Sequence, residues 1–85
     1  MSEEIVVIVG KSYTQGMAWL KMNAKKYNLD PQKCRVTSQE STFLGMKNLK
    51  VFWLRGWSAG ANANAIRNAA QVARSKGWIT SEEAP

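Results

Sequence analysis

Residues 6–16, VVIVGKSYTQG, decide the fold class of this chain. Ile5–Val9 are β-branched throughout and lack polar alternation, a pattern typical of a strand that is buried on both faces inside a parallel sheet. Gly10 ends the strand, and either Ser12 or Thr14 is suited to cap a helix that follows. A strand that runs through a glycine turn into a helix predicts the first half of an α/β unit.

The middle of the chain continues this alternation of helices and strands. Apolar residues at spacings of three and four predict an amphipathic helix over residues 13–28. CRVT at residues 34–37 predicts a short second strand, and Phe43 with Leu44 indicates a helical turn after it. LKVFWLRGW at residues 49–57 predicts a third strand, which is apolar on both faces and therefore covered on both.

The last third of the chain contains an alanine-rich helix. We expect it to begin near residues 62–64 and to end at Gly77, with Trp78 packing back onto the core. Its inward residues are expected to be Ala65, Ile66, Ala69, Val72 and Ala73, and its outward residues Arg67, Gln71 and Arg74. Residues 1–79 are expected to form a single α/β domain, and residues 80–85 a short acidic, flexible tail.

This order of elements predicts the α/β class. We expect a small three-stranded parallel sheet in the order 2-1-3 with two main helices, joined by right-handed crossovers as a reduced Rossmann-like or P-loop-like unit. Three strands leave two exposed sheet edges, and exposed edges favour pairing with another chain. A homodimer through one edge, or a partner that covers it, is therefore expected.

The charge distribution indicates the class of partner. The 85 residues include twelve Lys and Arg against six Asp and Glu, for a net charge of +6. Four of the acids lie near the ends, so residues 5–79 contain all twelve basic residues and only two acidic ones. Such a surplus favours nucleic acid, an acidic protein surface or an anionic ligand. The alternative is that the charge only keeps a small protein soluble.

Composition argues against several functional classes. Histidine is absent, which removes the commonest general base and the commonest metal ligand. Cys34 is the single cysteine, so the chain contains neither an internal disulfide nor a cysteine cluster for zinc. We therefore expect a protein that is not an enzyme and uses no cofactor or metal. No apolar run is long enough to span a membrane and no signal-peptide pattern is present, so a cytoplasmic location is expected.

The ends of the first and third strands form a candidate anion site. Ligands of open parallel sheets bind beyond the carboxyl ends of the strands, where the strand order reverses. The order 2-1-3 places GKSYTQG (residues 10–16) and RGWSAG (residues 55–60) at that point, each leading into a helix N-terminus. The candidate anion-binding or ligand-binding residues are Lys11, Ser12, Tyr13, Arg55 and Ser58.

Neither loop completes a motif of known chemistry. A Walker A loop has four residues between its first glycine and its Gly-Lys pair, whereas Gly10 here directly follows the strand. GWSAG at residues 56–60 fits the G-x-S-x-G pattern of hydrolases, but Ser58 has no histidine to act as its base. The alternative for both loops is that their glycines only make tight turns between strand and helix.

Tryptophans and basic residues outside the strands supply a candidate partner surface. Trp53 and Trp78 are expected in the core, and for Trp19 packing is favoured over contact with a partner. Trp57 lies in a loop beside an arginine, the composition of a binding hot spot or of a base-stacking platform, with packing as the alternative. The candidate partner-binding residues are Trp19, Lys21, Lys25, Lys26, Trp57, Arg67 and Arg74.

Two stretches carry a family resemblance. They are SYTQGMAWLKMNAKKYNL (residues 12–29) and CRVTSQESTFLGMKNLKVFWLRGW (residues 34–57). Their Ser-Tyr helix start, short strand, FLGM turn and final Gly-Trp resemble the small α/β proteins that are common in actinobacteriophage genomes, a family without an assigned activity. RGWSAGANANA (residues 55–65) also resembles the glycine-rich strand-to-helix turn of SLOG-type nucleotide-binding proteins.

Three functions follow, in order of preference. The first is a phage-type binding protein without catalysis that engages a host protein through its basic, Trp-bearing surface, as the resemblance implies. The second is a nucleic-acid binder that uses the lysines of the first helix together with Arg55, Arg67 and Arg74. The third is a nucleotide or anion binder at the ends of the first and third strands. The choice depends partly on whether the basic residues of the two helices share one face of the molecule.

Overall fold

The structure, a computed structural model, describes residues 4–37, 43 and 45–85 of the chain. Its strands and helices are β1 (Ile5–Val9), α1 (Tyr13–Asn23), β2 (Cys34–Thr37), β3 (Leu49–Trp53), α2 (Ala63–Ser75) and β4 (Ile79–Glu83), with short 3-10 helices at Pro31–Lys33 and Trp57–Ala59. The strands form one parallel sheet in the order β2-β1-β3-β4. The α/β class, with a parallel sheet and two helices, is thus confirmed.

The expectation of a three-stranded sheet is wrong, because residues assigned to a flexible tail form a fourth strand. Ile79–Glu83 pair in parallel with β3, beginning with Leu49 opposite Ile79. The backbone groups on the outer side of β3 need hydrogen-bond partners, and β4 supplies them. β4 makes the sheet edge, and four of its five residues are exposed, so its polar sequence fits its position. The homodimer expected through a sheet edge stays a prediction.

The two helices cover opposite faces of the sheet. α1 packs on the face that carries Ile8 and Phe52, whereas α2 packs on the face that carries Val7 and Val51. This division follows from the strand period, because successive side chains of β1 and β3 point to opposite faces. The expectation that the third strand is apolar and covered on both faces is therefore confirmed. We call the two sides the α1 face and the α2 face.

α1 is shorter than the helix expected over residues 13–28. The helix ends at Asn23, and the following residues continue as a turn. The turn is closed where the Leu29 N–H donates to the Ala24 carbonyl at 2.7 Å, with Asn28 in the left-handed conformation at a φ of 55°. This arrangement is a Schellman-type ending, with asparagine in the position that glycine usually takes.

α2 ends as the sequence predicts but turns a different set of residues inward. Gly77, at a φ of 73°, terminates the helical path, and Trp78 then packs against the core of the α2 face. Val72 was expected to be buried and is instead 47% exposed, while Ala70 is 1% exposed. The face that approaches the sheet is therefore built almost entirely from alanine.

The helical turn expected at Phe43 and Leu44 lies partly outside the described residues. Phe43 itself is buried and belongs to the core of the α2 face. It thus contributes a large aromatic side chain beneath the carboxyl end of β3, where it supports the site described next.

Candidate binding groove

The loops that leave β1 and β3 close against each other at the point where the strand order reverses. Gln15, in the first turn of α1, accepts a hydrogen bond from the Lys11 backbone N–H at 2.5 Å and donates to the Arg55 carbonyl at 3.1 Å. A Cβ placed on Gly60 would lie 2.8 Å from the Lys11 carbonyl oxygen, so glycine is needed for this close approach. The Lys11 backbone N–H, a candidate donor to an anion, is therefore engaged within the protein.

The side chains proposed for the anion site remain at the surface around these loops. The exposed ones are Lys11, Tyr13, Arg55 and Ser58. Ser12 is half-buried and caps α1, because its Oγ accepts the Gln15 N–H at 3.2 Å. Sequence reasoning missed Gln15, although the spacing Ser-x-x-Gln is that of a capping box and was a usable signal. Here Gln15 fastens one loop to the other instead of leaving the space between them open.

A groove of about 330 Å³ lies on the α2 face, between α2 and the ends of β3 and β4. Its lining residues are Trp53, Trp57, Arg67, Ala70, Gln71, Arg74 and Ala84. We call it the Trp57 groove. It brings together three of the residues that the sequence singled out as partner contacts, namely Trp57, Arg67 and Arg74. Trp53, expected only as a core residue, is half-buried and forms part of the same surface.

Stacked aromatic rings make the floor of the Trp57 groove. The Trp53 ring lies parallel to that of buried Phe43, with centroids 5.9 Å apart and an interplanar angle of 8°. Gly56, at a φ of 84°, turns the chain after β3 so that the Trp57 ring lies 4.5 Å from that of Trp53. On the opposite side α2 contributes Ala70, which has no side chain long enough to fill the space. The groove forms where the two large rings face Ala70, with the longer side chains of α2 around it.

Arg67 forms one charged end of the Trp57 groove. Its guanidinium carbon lies 5.4 Å from the centre of the Trp57 ring, within the range of a cation–π contact. Its Nη1 donates to the Asn64 Oδ1 at 2.9 Å, a bond to a neutral acceptor. Among the residues that the structure describes, no carboxylate forms an ion pair with Arg67. Its positive charge therefore remains available at the edge of the groove.

Arg74, two helical turns further along α2, is paired with β4. It donates to Glu82 through Nε at 2.8 Å and through Nη2 at 2.6 Å, and the Trp53 indole N–H donates to the same carboxylate at 2.9 Å. The bond from Arg74, and less strongly that from Trp53, lowers the pKa of Glu82 below its ordinary value, although partial burial opposes the shift. The same pair raises the pKa of Arg74. The Glu82 carboxylate thus links the edge strand β4 to the Arg74 and Trp53 side chains that line the groove.

The other predicted partner contacts lie on the α1 face. Trp19 is half-buried, and its ring centroid is 5.4 Å from that of Tyr27 and 5.3 Å from that of Phe52. The structure thus places Trp19 in the packing between α1 and the sheet. The exposed lysines on this side are Lys21, Lys25 and Lys26. The basic residues of the two helices therefore do not form one surface.

A metal centre is not evident in the part of the chain that the structure describes. Within residues 4–37, 43 and 45–85, no three His, Cys, Asp or Glu side chains come close enough together to hold an ion. Cys34 is half-buried, and burial raises the pKa of its thiol, with the nearby charge of Asp30 adding to the shift. Over the same ranges, no helix has the length and apolar character needed to cross a membrane.

Comparison with known proteins adds no functional information. A scan against protein-family models and searches of curated proteins and of solved structures find no match to this chain.

Proposed function

We propose that this chain is a small, non-catalytic binding protein of the phage type that engages a host protein through the Trp57 groove. The observation that carries the proposal is that Trp57, Arg67 and Arg74 meet around one open groove beside Trp53. Tryptophan and arginine are the residues most enriched at binding hot spots, especially where a pocket allows them to be fully desolvated by a partner. The half-buried Trp57 ring is held by Trp53 before any partner arrives, so little rotamer entropy is lost on binding.

The separation of the basic residues favours a protein partner over a nucleic acid. The lysines at residues 21–26 lie on the α1 face, whereas Arg67 and Arg74 lie on the α2 face. A nucleic acid that contacted both groups would have to wrap around the sheet. Arg74 is moreover neutralised by Glu82, which reduces the charge that the groove offers to phosphates.

The geometry at the strand-order reversal also favours the groove over an anion site. A phosphate between the two loops would compete with Gln15 for the Lys11 backbone N–H. It would also have to enter where Gly60 already approaches the Lys11 carbonyl closely. An anion held there would therefore have to open the contact between the loops.

The test is affinity capture from an actinobacterial lysate with matched variants. The wild type is immobilised beside W57A/R67A, which alters the groove, and K21A/K25A, which removes two charges from the opposite face. We expect one protein to be retained by the wild type and by K21A/K25A, with and without nuclease, and to be reduced at least about tenfold on W57A/R67A. Circular dichroism of each variant checks that the fold is retained.

Two results would contradict the proposal. Retention of the captured protein by W57A/R67A at the wild-type level would place the contact outside the groove. Loss of the captured material after nuclease treatment, together with its reduction on K21A/K25A, would show that the lysines on the α1 face bind nucleic acid instead.

A further inference from the structure

We infer that the Trp57 groove takes a partner segment in which a carboxylate side chain stands next to a large apolar or aromatic one. This inference rests on the proposed function, because it names the chemistry of the partner at the same groove. It follows from three features: the shape of the apolar floor, the charge at the Arg67 end, and the carboxylate already bound at the Arg74 end.

The floor of the groove suits one large apolar side chain. It consists of two indole rings with centroids 4.5 Å apart and of Ala70, while Arg67 and Gln71 stand on the α2 side. A volume of about 330 Å³ is at the lower end of the range for ligand pockets, roughly 300–1,000 Å³. A space of this size accommodates a side chain and its neighbour from a peptide segment rather than a broad folded surface. An aromatic ring there would meet Trp53 and Trp57 in tilted or offset geometry.

The Arg67 end of the groove is suited to bind one negatively charged group. A segment that covers Trp57 also covers the guanidinium above it and removes water from that charge. Removing a charge from water is costly unless a counter-charge replaces the water. Arginine and carboxylate pair through two parallel hydrogen bonds, which a planar guanidinium is built to donate. One carboxylate balances Arg67, since Arg74 already has its partner within the chain.

The Arg74 end displays the same recognition within the protein. There a carboxylate, that of Glu82, accepts hydrogen bonds from an arginine fork and from the indole N–H of Trp53. Arg67 and Arg74 are seven residues apart on α2, so they project from the same side of the helix. Arg67 contacts Trp57 through the face of the ring rather than through a shared carboxylate, so the partner would supply to Arg67 the carboxylate that β4 supplies to Arg74.

The pairing of Arg74 with Glu82 of β4 favours a peptide over a nucleic acid. Glu82 occupies the Arg74 end of the groove and Ala84 lines it, whereas Glu83 pairs with Lys50 on the α1 face. A phosphate backbone that reached Arg67 along the groove would carry further negative charges past this pair, in which the positive charge of Arg74 is already balanced. A single glutamate or aspartate of a peptide reaches Arg67 without bringing those further charges.

The test compares two peptides that differ in one charge. The probes are Gly-Ser-Glu-Phe-Ser-Gly and Gly-Ser-Gln-Phe-Ser-Gly, both blocked at their ends, titrated into ¹⁵N-labelled full-length protein while the assigned indole N–H signals are followed by NMR. We expect the Glu peptide to shift the Trp57 signal and to bind about fivefold more tightly than the Gln peptide. R67Q should remove this difference, whereas K21Q on the opposite face should leave it unchanged.

Other outcomes overturn the inference. Equal affinity for the two peptides, absence of binding by both, or discrimination that survives in R67Q would each exclude a carboxylate at Arg67. Tighter binding at the Trp57 signal by a single-stranded oligo-dT octamer would assign the groove to nucleic acid. If the peptides fail while a host protein is still lost on W57A/R67A, the groove binds a partner of other chemistry. If the peptides behave as expected and no host protein is captured, the proposed function fails instead.

Discussion

Both faces of the sheet carry clustered aromatic side chains, but one cluster fills the space under a helix and the other borders an open groove. On the α1 face, the rings of Trp19, Tyr27 and Phe52 lie with centroids 5.3–5.4 Å apart and fill the space between helix and sheet. On the α2 face, the ring centroids of Trp53 and Trp57 lie closer still, 4.5 Å apart, but a groove of about 330 Å³ remains beside them.

The helices account for this difference. α1 brings Trp19 and Leu20 onto the sheet, so ring packs against ring. α2 presents mainly alanines to the sheet, and Ala70 faces the Trp57 groove. The size of the helix side chain opposite an aromatic residue therefore decides whether that residue packs in the core or lines a groove. Truncation of Phe52 should consequently cost stability, whereas truncation of Trp57 should mainly cost binding.

The largest expected effect is that of F52A. Phe52 is fully buried and contacts both other rings of the α1 face, so its removal leaves a cavity. We expect a loss of about 3–5 kcal/mol in the free energy of unfolding. Trp57 is half-exposed in a loop, and W57A should cost only about 1–2 kcal/mol. Urea denaturation of both variants measures this contrast, and equal losses would refute the division between the faces.

A smaller loss is expected from G16A, which tests how closely α1 approaches β2. Gly16 is buried, and a Cβ there would overlap the Cγ1 of Val36 on the neighbouring strand. The overlap should lower the free energy of unfolding by about 1–3 kcal/mol, whereas the higher helix propensity of alanine should raise it by about 1 kcal/mol. The matched background is V36A, which removes the overlapping methyl group. G16A should therefore be less destabilising in V36A than in the wild type when both are measured by thermal unfolding.

The contrast between β1 and β4 shows how far the sequence predicts this fold. Ile5–Val9 are identifiable as a strand because a strand buried on both faces requires an unbroken apolar run. Four of the five residues of Ile79–Glu83 are exposed at the sheet edge and the segment carries no such pattern, so its pairing with β3 depends on a tertiary contact that local sequence does not encode. Gly77 predicted the end of α2 correctly, but not that a strand would follow.

The candidate site was predictable residue by residue but not as a unit. Trp57 and Arg67 were both selected from residue type and position in the chain. Their meeting in one groove depends on the face that α2 takes and on the turn at Gly56. The lysines after Leu20 were selected by the same reasoning and lie on the opposite face. Charge and aromatic content thus predict which residues are candidates, whereas the topology decides which of them act together.

The smallest expected effect concerns Glu82, the residue that joins β4 to the Trp57 groove. Its pKa is lowered in the folded protein by the hydrogen bonds from Arg74 and Trp53, so its ionised form stabilises the fold. This contribution is fully present above the pKa that Glu82 has in the unfolded chain, and it is lost as the pH falls through the lowered pKa of the folded state. Because the pair is largely exposed, we expect E82Q to cost only about 0.5–1 kcal/mol at neutral pH.

The measurement is the free energy of unfolding of wild type and E82Q as a function of pH. The difference in free energy between wild type and E82Q should shrink as the pH falls below the ordinary pKa range of glutamate. The matched control is E83Q: the Glu83 carboxylate lies 3.9 Å from Lys50, and its loss should produce a smaller difference from wild type throughout. A difference that stays constant with pH would mean that Glu82 acts through packing rather than charge. If the difference does shrink, Arg74 loses its partner at low pH, and the groove then presents two unpaired guanidinium groups in place of one.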